Sequence, residues 1–262
     1  MEPFQNNQTA WNTGAYEAWI QRFGTPHEAV KKIKEAPAKR LGQAYEYMGD
    51  VQGKKIINLL GSNGNKAVAL ALLGADVTVA DFSYENERYA NELADEAGVE
   101  IRYIVSDVLQ LPRENVTGDY DIVYMEFGIL HYFLDLGPLF KVVNDLLRKG
   151  GSLILQDFHP VSTKLISSRG TTAKIRKHKV TGDYFDSSLV EKDISFSKFT
   201  SDESNDDTAQ KVMLRNWTLG EIVTAVASQG LYIKKLDEHP NLSSEVFDKG
   251  IPKAFTIVAE KL

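Results

Sequence analysis

The stretch that most constrains the fold of this chain is IINLLGSNGNKAVALALLGADVTVADFS, residues Ile56–Ser83. An apolar run of strand length leads into a glycine-containing turn, a segment of strong helix formers, and a second apolar run that ends on an acid. Gly74 stands where a left-handed residue would end the helix. This order predicts two parallel strands joined by a helix that packs on one face of a sheet.

The same alternation continues beyond this unit. Apolar runs of strand length are separated by segments with helix length or helix periodicity, which predicts a parallel sheet with helices on both faces. Two late runs, Leu231–Leu236 and Ala254–Glu260, lie close enough in sequence to form an antiparallel pair. The earlier predicted strands are Ile56–Leu60, Asp76–Ala80, Ile101–Val105, Asp121–Met125 and Ser152–Gln156.

Changes in composition divide the chain into four predicted regions. Residues 1–50 are aromatic and charged with helical patterns, and we expect them to form an N-terminal helical cap. Residues 51–160 carry the alternating pattern of a cofactor-binding core. Residues 161–216 are polar and rich in turn residues, which indicates an inserted, substrate-covering segment, and residues 217–262 complete the core sheet.

Length and composition exclude several classes of protein. A chain of 262 residues can bury roughly 70 to 75% of its unfolded surface without cross-links. It has no cysteine and no close histidine pair, so we expect no disulfide, no metal and a reducing compartment, the cytoplasm. No apolar run approaches the roughly 18 residues of a membrane span, and the net charge of -6 disfavours a nucleic-acid partner.

The glycine turn and the acids at the strand ends predict a nucleoside ligand. Free backbone N–H groups at the helix start beside Gly61 and Gly64 favour an anion or a polar ligand tail. Asp81, about 20 residues further on, can accept hydrogen bonds from both ribose hydroxyls. Asp107 ends the third strand and can accept one from an adenine amine. Alternatively, the glycines only shape a turn and the aspartates cap the following helices.

Motifs along the core carry a family resemblance: VADFS, VSDVLQLP, DYDIVYMEFGILHYF, LLRKGGSLILQDFHP and NWTLGEIVTAVASQGLYIKKLDEHP. Together with the glycine turn they resemble class I S-adenosylmethionine-dependent methyltransferases, similar to small-molecule methyltransferases of the quinone-pathway type. The resemblance implies a doubly wound, three-layer αβα, Rossmann-like α/β fold. Its sheet has seven mostly parallel strands with an antiparallel last strand. It also implies S-adenosyl-L-methionine as cofactor, S-adenosyl-L-homocysteine as product and methyl transfer to a small-molecule substrate.

The glycine turn itself departs from the pattern of this family. The family has an acid, any residue and then Gly-x-Gly-x-Gly, whereas this chain has Asn58, Leu60, Ser62 and Gly64 at the corresponding positions. Ser62 is small and Gly61 allows a close approach one position over, so we still expect cofactor binding. A degenerate site that binds the cofactor weakly, or binds its demethylated form, is the alternative.

By resemblance, the ends of the first four strands form the cofactor site. The turn would face the methionine part, the second strand end the ribose, and the third strand end the adenine. Glu126 and Phe127 would lie under the sulfonium and the substrate. The cofactor-binding residues implied in this way are Gly61, Ser62, Asn63, Gly64, Asp81, Phe82, Ser83, Asp107, Val108, Glu126 and Phe127.

Histidine and tyrosine side chains are the candidate catalytic and substrate-binding groups. In-line methyl transfer gains most from alignment, and a histidine with a pKa near the working pH is an optional proton acceptor. We expect His131, with Glu126, to be catalytic, and Tyr132, His159 and Tyr16 to contact the substrate. Capping, loop and packing roles are the alternatives for these side chains.

The aromatic N-terminus offers a possible lid. Trp11, Tyr16 and Trp19 would fold over the cofactor, or would bury against helices that cover the sheet. The charge-segregated insertion, whose basic residues are Lys164, Arg169, Lys174, Arg176, Lys177 and Lys179 and whose acids lie in Asp183–Asp207, is favoured as a cap for a small substrate. An RNA methyltransferase is less favoured, because the basic stretch lacks aromatic residues that stack on bases.

Two further functions are weighed against methyl transfer. A nucleotide-binding oxidoreductase would need Gly-x-Gly-x-x-Gly, and Lys66 stands where the third glycine would fall. A noncatalytic cofactor-binding or interaction protein of the same fold stays open because of Leu60 and Ser62. The sequence leaves the oligomeric state open between monomer and homodimer.

Overall fold

The computed structural model describes residues 11–169, 178–193, 211–240 and 250–262. The strands are β1 (Lys55–Leu59), β2 (Asp76–Asp81), β3 (Arg102–Val105), β4 (Tyr120–Glu126), β5 (Leu147–Phe158), β6 (Ile166–Arg169), β7 (His178–Val180), β8 (Leu189–Asp193), β9 (Lys211–Arg215), β10 (Leu231–His239) and β11 (Ala254–Lys261). The α-helices are α1 (Ala15–Phe23), α2 (Pro26–Glu35), α3 (Pro37–Leu41), α4 (Ala44–Met48), α5 (Asn65–Leu72), α6 (Tyr84–Ala97), α7 (Leu136–Leu146) and α8 (Leu219–Ser228).

Seven strands form one twisted sheet in the order β10-β11-β5-β4-β1-β2-β3. The strands β1 to β5 pair in parallel, and β11 runs antiparallel to both of its neighbours, β5 and β10. The predicted fold class, a mostly parallel seven-stranded sheet with an antiparallel last strand, is therefore confirmed. The main difference is that β5 begins at Leu147 rather than at Ser152, because an irregularity in its pairing with β4 admits the Gly150 turn.

Helices cover both faces of this sheet through two buried clusters. On one face, α1 to α6 contribute side chains such as Trp19, Ile33 and Tyr89. On the other, α7 and α8 contribute Phe140 and Val226. Burial of each large apolar side chain stabilises the fold by about 1.5 to 3 kcal/mol. The N-terminal helices are thus part of the layer that covers the strand ends.

Local capping sets where the covering helices begin. Helix α2 starts with Pro26 and a reciprocal capping box between Thr25 and Glu28, and α8 starts with the same arrangement between Thr218 and Glu221. Each box satisfies N–H groups that the first turn of a helix leaves without partners. Across the described ranges, no helix has both the length and the apolar character required to cross a membrane.

The inserted segment contributes two antiparallel strand pairs, β6 with β7 and β8 with β9, which the sequence did not predict. The buried Lys164 joins its parts, since Nζ donates to the carbonyl oxygens of Asp186 at 2.5 Å and Asn216 at 2.8 Å. The basic residues Lys174, Arg176 and Lys177 lie outside the described residues, as do residues 194–207 of the acidic stretch.

Candidate functional site

A cavity of about 530 Å³ opens at the carboxyl ends of β1, β2 and β4, beneath the N-terminal helices. This volume lies within the roughly 300 to 1,000 Å³ typical of small-molecule sites. Its lining residues are Trp11, Trp19, Arg22, Phe23, Arg40, Leu60, Gly61, Ser62, Asn63, Asn65, Lys66, Asp81, Phe82, Glu126, Phe127, Gly128, Ile129, His131, Tyr132 and Phe158. Among the described residues, the roof comes from the N-terminal helices and not from residues 161–216.

The glycine turn keeps a left-handed backbone at alternate positions. Leu60 has φ 51, Ser62 has φ 48 and Gly64 has φ 72. These are the three positions at which the methyltransferase pattern has glycine, so the backbone geometry persists although two of the glycines are replaced. Left-handed strain costs about 1 to 3 kcal/mol at each residue other than glycine, and such strain concentrates at functional sites.

Gly61 is required for a different reason. A Cβ at this position would lie 2.7 Å from Asn58 Oδ1 and 2.8 Å from Val79 Cγ1, so only glycine fits between the turn and the first two strands. Asn58 Nδ2 donates to the carbonyl of Tyr124 at 3.2 Å, while its buried Oδ1 has no partner within the described residues. The close approach predicted at Gly61 is therefore made to the protein's own sheet.

Asp81 holds the turn from the end of β2. Its Oδ2 accepts from the Ser62 N–H at 3.1 Å, and its Oδ1 accepts from the Ser83 N–H at 3.0 Å and from Asn86 Nδ2 at 3.1 Å. Burial raises the pKa of this carboxyl, and these hydrogen bonds, together with one from the Phe82 N–H, oppose the rise. From β3, Tyr103 OH donates to the Ser62 carbonyl at 2.8 Å. The turn is thus fixed on both its N–H and its carbonyl side.

The floor of the cavity is formed by the segment that follows β4. Glu126 Oε2 lies 3.1 Å from Lys66 Nζ and accepts from Tyr124 OH at 2.7 Å. Phe127 is left-handed, with φ 35. The buried Asp157 fixes the turn that follows, since it accepts from the N–H groups of Gly128 at 2.6 Å and Leu130 at 3.3 Å. Asp157 therefore positions residues that line the cavity without lining it itself.

His131 lies against the cavity with its ring 4.6 Å from that of Tyr132. Burial lowers the pKa of His131 to about 4, and the positive charge of Lys192 adds to this effect. The imidazole is therefore neutral at physiological pH and can accept a hydrogen bond, although its lowered pKa makes it a weaker base than an ordinary histidine. Tyr132 OH accepts a hydrogen bond from Trp11 Nε1 at 3.3 Å, and burial raises its pKa to about 12.

The predicted site residues divide into two groups. The structure brings together at the cavity Gly61, Ser62, Asn63, Asp81, Phe82, Glu126, Phe127, His131 and Tyr132. It places outside the lining Gly64, Ser83, Asp107, Val108, Tyr16 and His159. The ligand-binding and catalytic roles of both groups stay predictions.

Four of the predicted residues outside the cavity lining have a structural role in the fold. Ser83 caps α6 by accepting from the Asn86 N–H at 3.3 Å, and Asp107 caps a short 3₁₀ turn by accepting from the Leu109 N–H at 2.9 Å. This corresponds to the capping alternative considered for the aspartates. Gly64 is the N-cap of α5, and Val108 is buried in the core.

Tyr16 and His159 are held by carboxylates away from the cavity. Tyr16 OH donates to Glu92 Oε2 at 2.5 Å. His159 Nδ1 accepts from the Val161 N–H at 3.1 Å, so Nε2 carries the proton and donates to Glu238 Oε1 at 2.7 Å. Burial lowers the pKa of His159. Both side chains thus have partners within the fold, and their contacts with a substrate stay a prediction.

Polar residues at or beside the site that sequence reasoning missed include Arg22, Arg40, Lys66, Tyr103 and Asp157. Arg22 follows Trp19 by three residues and therefore shares its helix face, which is a usable signal. Lys66 lies only two residues after Gly64, whereas Arg40, Tyr103 and Asp157 lie on elements whose approach to the turn depends on packing rather than on any local pattern.

Comparison with known proteins adds a family to this geometry. Residues 60–155 match the family described as a methyltransferase domain. This segment of the chain is therefore similar to a methyltransferase domain. The predicted family resemblance is thereby confirmed at the level of domain and fold.

Two curated relatives of the chain are named as methyltransferases of ubiquinone and menaquinone pathways. The ubiquinone biosynthesis O-methyltransferase of Bordetella avium is 28% identical over 136 residues, which cover 52% of this chain and 56% of the relative. The demethylmenaquinone methyltransferase of Thermus thermophilus is 33% identical over 112 residues, which cover 41% of this chain and 48% of the relative. The chain thus spans about half the length of these curated relatives.

Solved structures share the fold of the methyltransferase domain. An S-adenosylmethionine-dependent methyltransferase from Mesorhizobium loti superposes with a TM-score of 0.63 at 20% identity, covering 87% of this chain and 99% of the other. The magnesium protoporphyrin IX methyltransferase of Synechocystis with bound S-adenosylmethionine gives a TM-score of 0.57 at 13% identity, covering 100% of this chain and 98% of the other.

Proposed function

We propose that the protein is an S-adenosylmethionine-dependent methyltransferase that moves a methyl group to a small-molecule acceptor. The observation that carries this proposal is the left-handed backbone at Leu60, Ser62 and Gly64, fixed by Asp81 beneath a cavity of about 530 Å³. The methyltransferase domain match over residues 60–155 supports it.

The residues at the cavity fit such a cofactor. The turn of Gly61, Ser62 and Asn63 would hold the methionine part, Asp81 the ribose and Phe82 the adenine edge. When bound, S-adenosylmethionine supplies an electrophilic methyl group. Asp81 already accepts hydrogen bonds from Asn86 Nδ2 and from the N–H groups of Ser62, Ser83 and Phe82, so a ribose hydroxyl would share or replace one of these donors.

The chain's own residues align the acceptor and exclude water. Trp11, Trp19 and Phe23 close the cavity from above, and Phe127 and Phe158, whose ring centroids lie 5.2 Å apart, wall its other side. Alignment of reacting groups in an enclosed apolar site is the largest contribution that such a protein can make.

His131 is the proposed proton acceptor. Its ring faces the cavity and is neutral at physiological pH. With a pKa of about 4 it is a weak base, so it would accept a hydrogen bond from the acceptor and take up the proton as the bond to the methyl group forms, when the methylated group becomes strongly acidic. Glu126 is fixed by Lys66 and Tyr124, which suits it to positioning.

We also propose the predicted layout for the working protein. The N-terminal helices act as the lid, residues 51–160 with 217–262 form the cofactor-binding core, and residues 161–216 lie beside it. The absence of cysteine supports a reducing compartment, the cytoplasm. The names of the quinone-pathway relatives support an acceptor with an oxygen or ring-carbon nucleophile.

Binding of the cofactor depends on Asp81. Isothermal titration of the wild type with S-adenosylmethionine and S-adenosylhomocysteine is expected to show saturable binding. Asp81→Asn should weaken it by about 10- to 100-fold, because the ribose loses a charged acceptor and the turn loses an anchor. Asp145→Asn, which removes an exposed carboxylate paired with Lys141, is the control and should bind as the wild type does. Absence of binding by the wild type contradicts the proposal; unchanged binding by Asp81→Asn contradicts only the role of Asp81.

Catalysis is tested separately from binding. Incubation of the wild type with methyl-labelled S-adenosylmethionine and a small-molecule extract should transfer label to the metabolite fraction. Cofactor binding without any transfer would instead support the noncatalytic alternative.

A further inference from the structure

The turn that carries His131, residues 128–134, lies between β4 and α7. Its regular part is one short 3₁₀ turn, Leu130–Tyr132. Hydrogen bonds in such a turn have poorer geometry than those of an α-helix. The direction of the His131 ring therefore depends on the bonds that neighbouring elements make to this turn.

Two side chains at the end of the inserted segment hold carbonyl groups of the His131 turn. The buried Trp217 donates from Nε1 to the Leu130 carbonyl at 2.9 Å. Arg215 donates from Nη1 to the Leu134 carbonyl at 2.8 Å. Leu130 directly precedes His131 and Leu134 follows it by three residues, so the turn is held on both sides of the imidazole.

Arg215 and Trp217 form one unit. The guanidinium carbon of Arg215 lies 3.6 Å from the centroid of the Trp217 ring. Arg215 Nη2 also lies 2.9 Å from Oε1 of Glu221, the acid of the capping box that begins α8. Stacking on a ring and pairing with a carboxylate together fix the orientation of a planar guanidinium. Both donors are therefore in place before any ligand binds.

Asp157 holds the opposite, N–H side of the same turn. It accepts from the Gly128 N–H at 2.6 Å and from the Leu130 N–H at 3.3 Å. Leu130 is thus fixed through its N–H by Asp157 and through its carbonyl by Trp217. These opposed bonds leave little freedom to the next residue, His131.

A second, small cavity indicates that these side chains act on the turn and not on a ligand of their own. Asp157, Arg215 and Trp217 line it together with His131. Its volume is about 30 Å³. Such a volume has room for water but not for a substrate, since small-molecule sites take roughly 300 Å³ or more.

The inserted segment also contributes to the charge around His131. Burial is the first cause of the lowered pKa of His131, and the positive charge of Lys192 is the second. Lys192 lies on β8, which pairs with β9, the strand that ends at Arg215. Asp157 and Arg215, the charged side chains in the second cavity, are engaged in the bonds described above.

We propose that Arg215 and Trp217 are positioning residues that set the direction of the His131 ring in the large cavity. The end of the inserted segment thus serves the site from behind the His131 turn. This inference rests on the proposed function, in which His131 is the proton acceptor, and deepens it. A reacting group displaced by about 1 Å can cost roughly 100-fold in rate, whereas cofactor affinity depends on the glycine turn and should not change.

The variant Trp217→Phe tests this role because it removes the indole donor and keeps an aromatic ring. NMR titration of the ligand-free variant should show the pKa of His131 rising from about 4 toward its ordinary value, since a loosened turn lets water reach the ring. Transfer of label from methyl-labelled S-adenosylmethionine to the small-molecule extract should fall by about 10-fold or more. Calorimetric titration with S-adenosylhomocysteine should give an unchanged affinity.

Tyr120→Phe is the matched control for the loss of a buried hydrogen bond. Tyr120 belongs to the same buried cluster as Trp217, and its hydroxyl donates to Thr78 Oγ1 at 3.3 Å. This control should lower the melting temperature about as much as Trp217→Phe does. It should leave both the pKa of His131 and the transfer of label unchanged.

Arg215→Lys is the second variant, and it decides the question if Trp217→Phe does not fold. It keeps the positive charge, but a lysine cannot hold the Leu134 carbonyl and Glu221 in one stacked geometry. The pKa of His131 should rise and the transfer of label should fall, as in Trp217→Phe.

An unchanged pKa of His131 in the folded variants overturns the positioning role. A fall in cofactor affinity as large as the fall in transfer also overturns it, because the damage would then be general. Failure of the wild type to bind S-adenosylmethionine contradicts the proposed function instead, and the titration of His131 in the ligand-free protein still decides whether Arg215 and Trp217 position the ring.

Discussion

Replacing Gly64 by alanine is expected to lower the free energy of unfolding by about 3 to 4 kcal/mol. Gly64 has φ 72, and a Cβ there would overlap the Cβ of Ala90 on α6 and lie 3.0 Å from its Cα. Backbone strain therefore adds to a collision between α6 and the start of α5. Equilibrium denaturation in urea measures the change.

Gly98 provides the matched control for this prediction. It is also left-handed, with φ 69, but a Cβ there would meet nothing within 4 Å. Gly98→Ala should therefore cost only the backbone strain, about 1 kcal/mol. The double variant Gly64→Ala, Ala90→Gly should recover part of the loss, since it removes one of the colliding methyl groups. Equal costs for the two glycines would contradict the close packing of α5 on α6.

His131 is expected to make the protein less stable in acid by up to about 3 kcal/mol. Its pKa is lowered to about 4 in the folded protein, first by burial and then by the charge of Lys192. In the unfolded chain an imidazole titrates near pH 6.5. Between these values the unfolded state binds more protons, so this contribution to stability is complete above pH 6.5 and is lost as the pH falls toward 4.

Burial also lowers the pKa of His159, so both histidines contribute to the loss of stability in acid. A comparison of variants isolates the contribution of His131. Urea unfolding between pH 4 and 7 should show a smaller loss of stability for His131→Gln than for the wild type. Lys192→Gln should keep most of the wild-type loss, since burial is the larger cause. NMR titration of the His131 ring should give a pKa of about 4. A ring that titrates at its ordinary value would contradict both this prediction and the neutral proton acceptor.

The turn shows how a sequence departure can leave geometry unchanged. The methyltransferase pattern has glycine at three alternate positions, and this chain keeps only Gly64. Leu60 and Ser62 nevertheless adopt the left-handed backbone, held by the hydrogen bonds of Ser62 to Asp81 and Tyr103. Tertiary contacts therefore supply the free energy that glycine would have made unnecessary.

The sequence alone determined the fold class and the edge of the sheet at which the site lies. Strand and helix patterns are local periodicities, and the carboxyl ends of parallel strands necessarily meet at one edge, so Asp81, Glu126 and His131 could be placed near the cavity. The same reasoning could not separate a cap from a ligand contact. The structure shows that Asp107 and Ser83 cap helical turns and that His159 and Tyr16 bond to carboxylates, while their roles toward a ligand stay predictions.

Only the tertiary structure decided what closes the cavity and what charge its roof bears. Arg40 and Asp157 are far from the turn in sequence and follow no motif, and they reach it because helices and strands pack there. The burial that leaves Arg40 Nε without a hydrogen-bond partner in the described part of the chain, and that keeps His131 neutral, is likewise a property of the packed protein. Desolvation depends on which groups surround a charge in space, and a local sequence pattern does not contain that information.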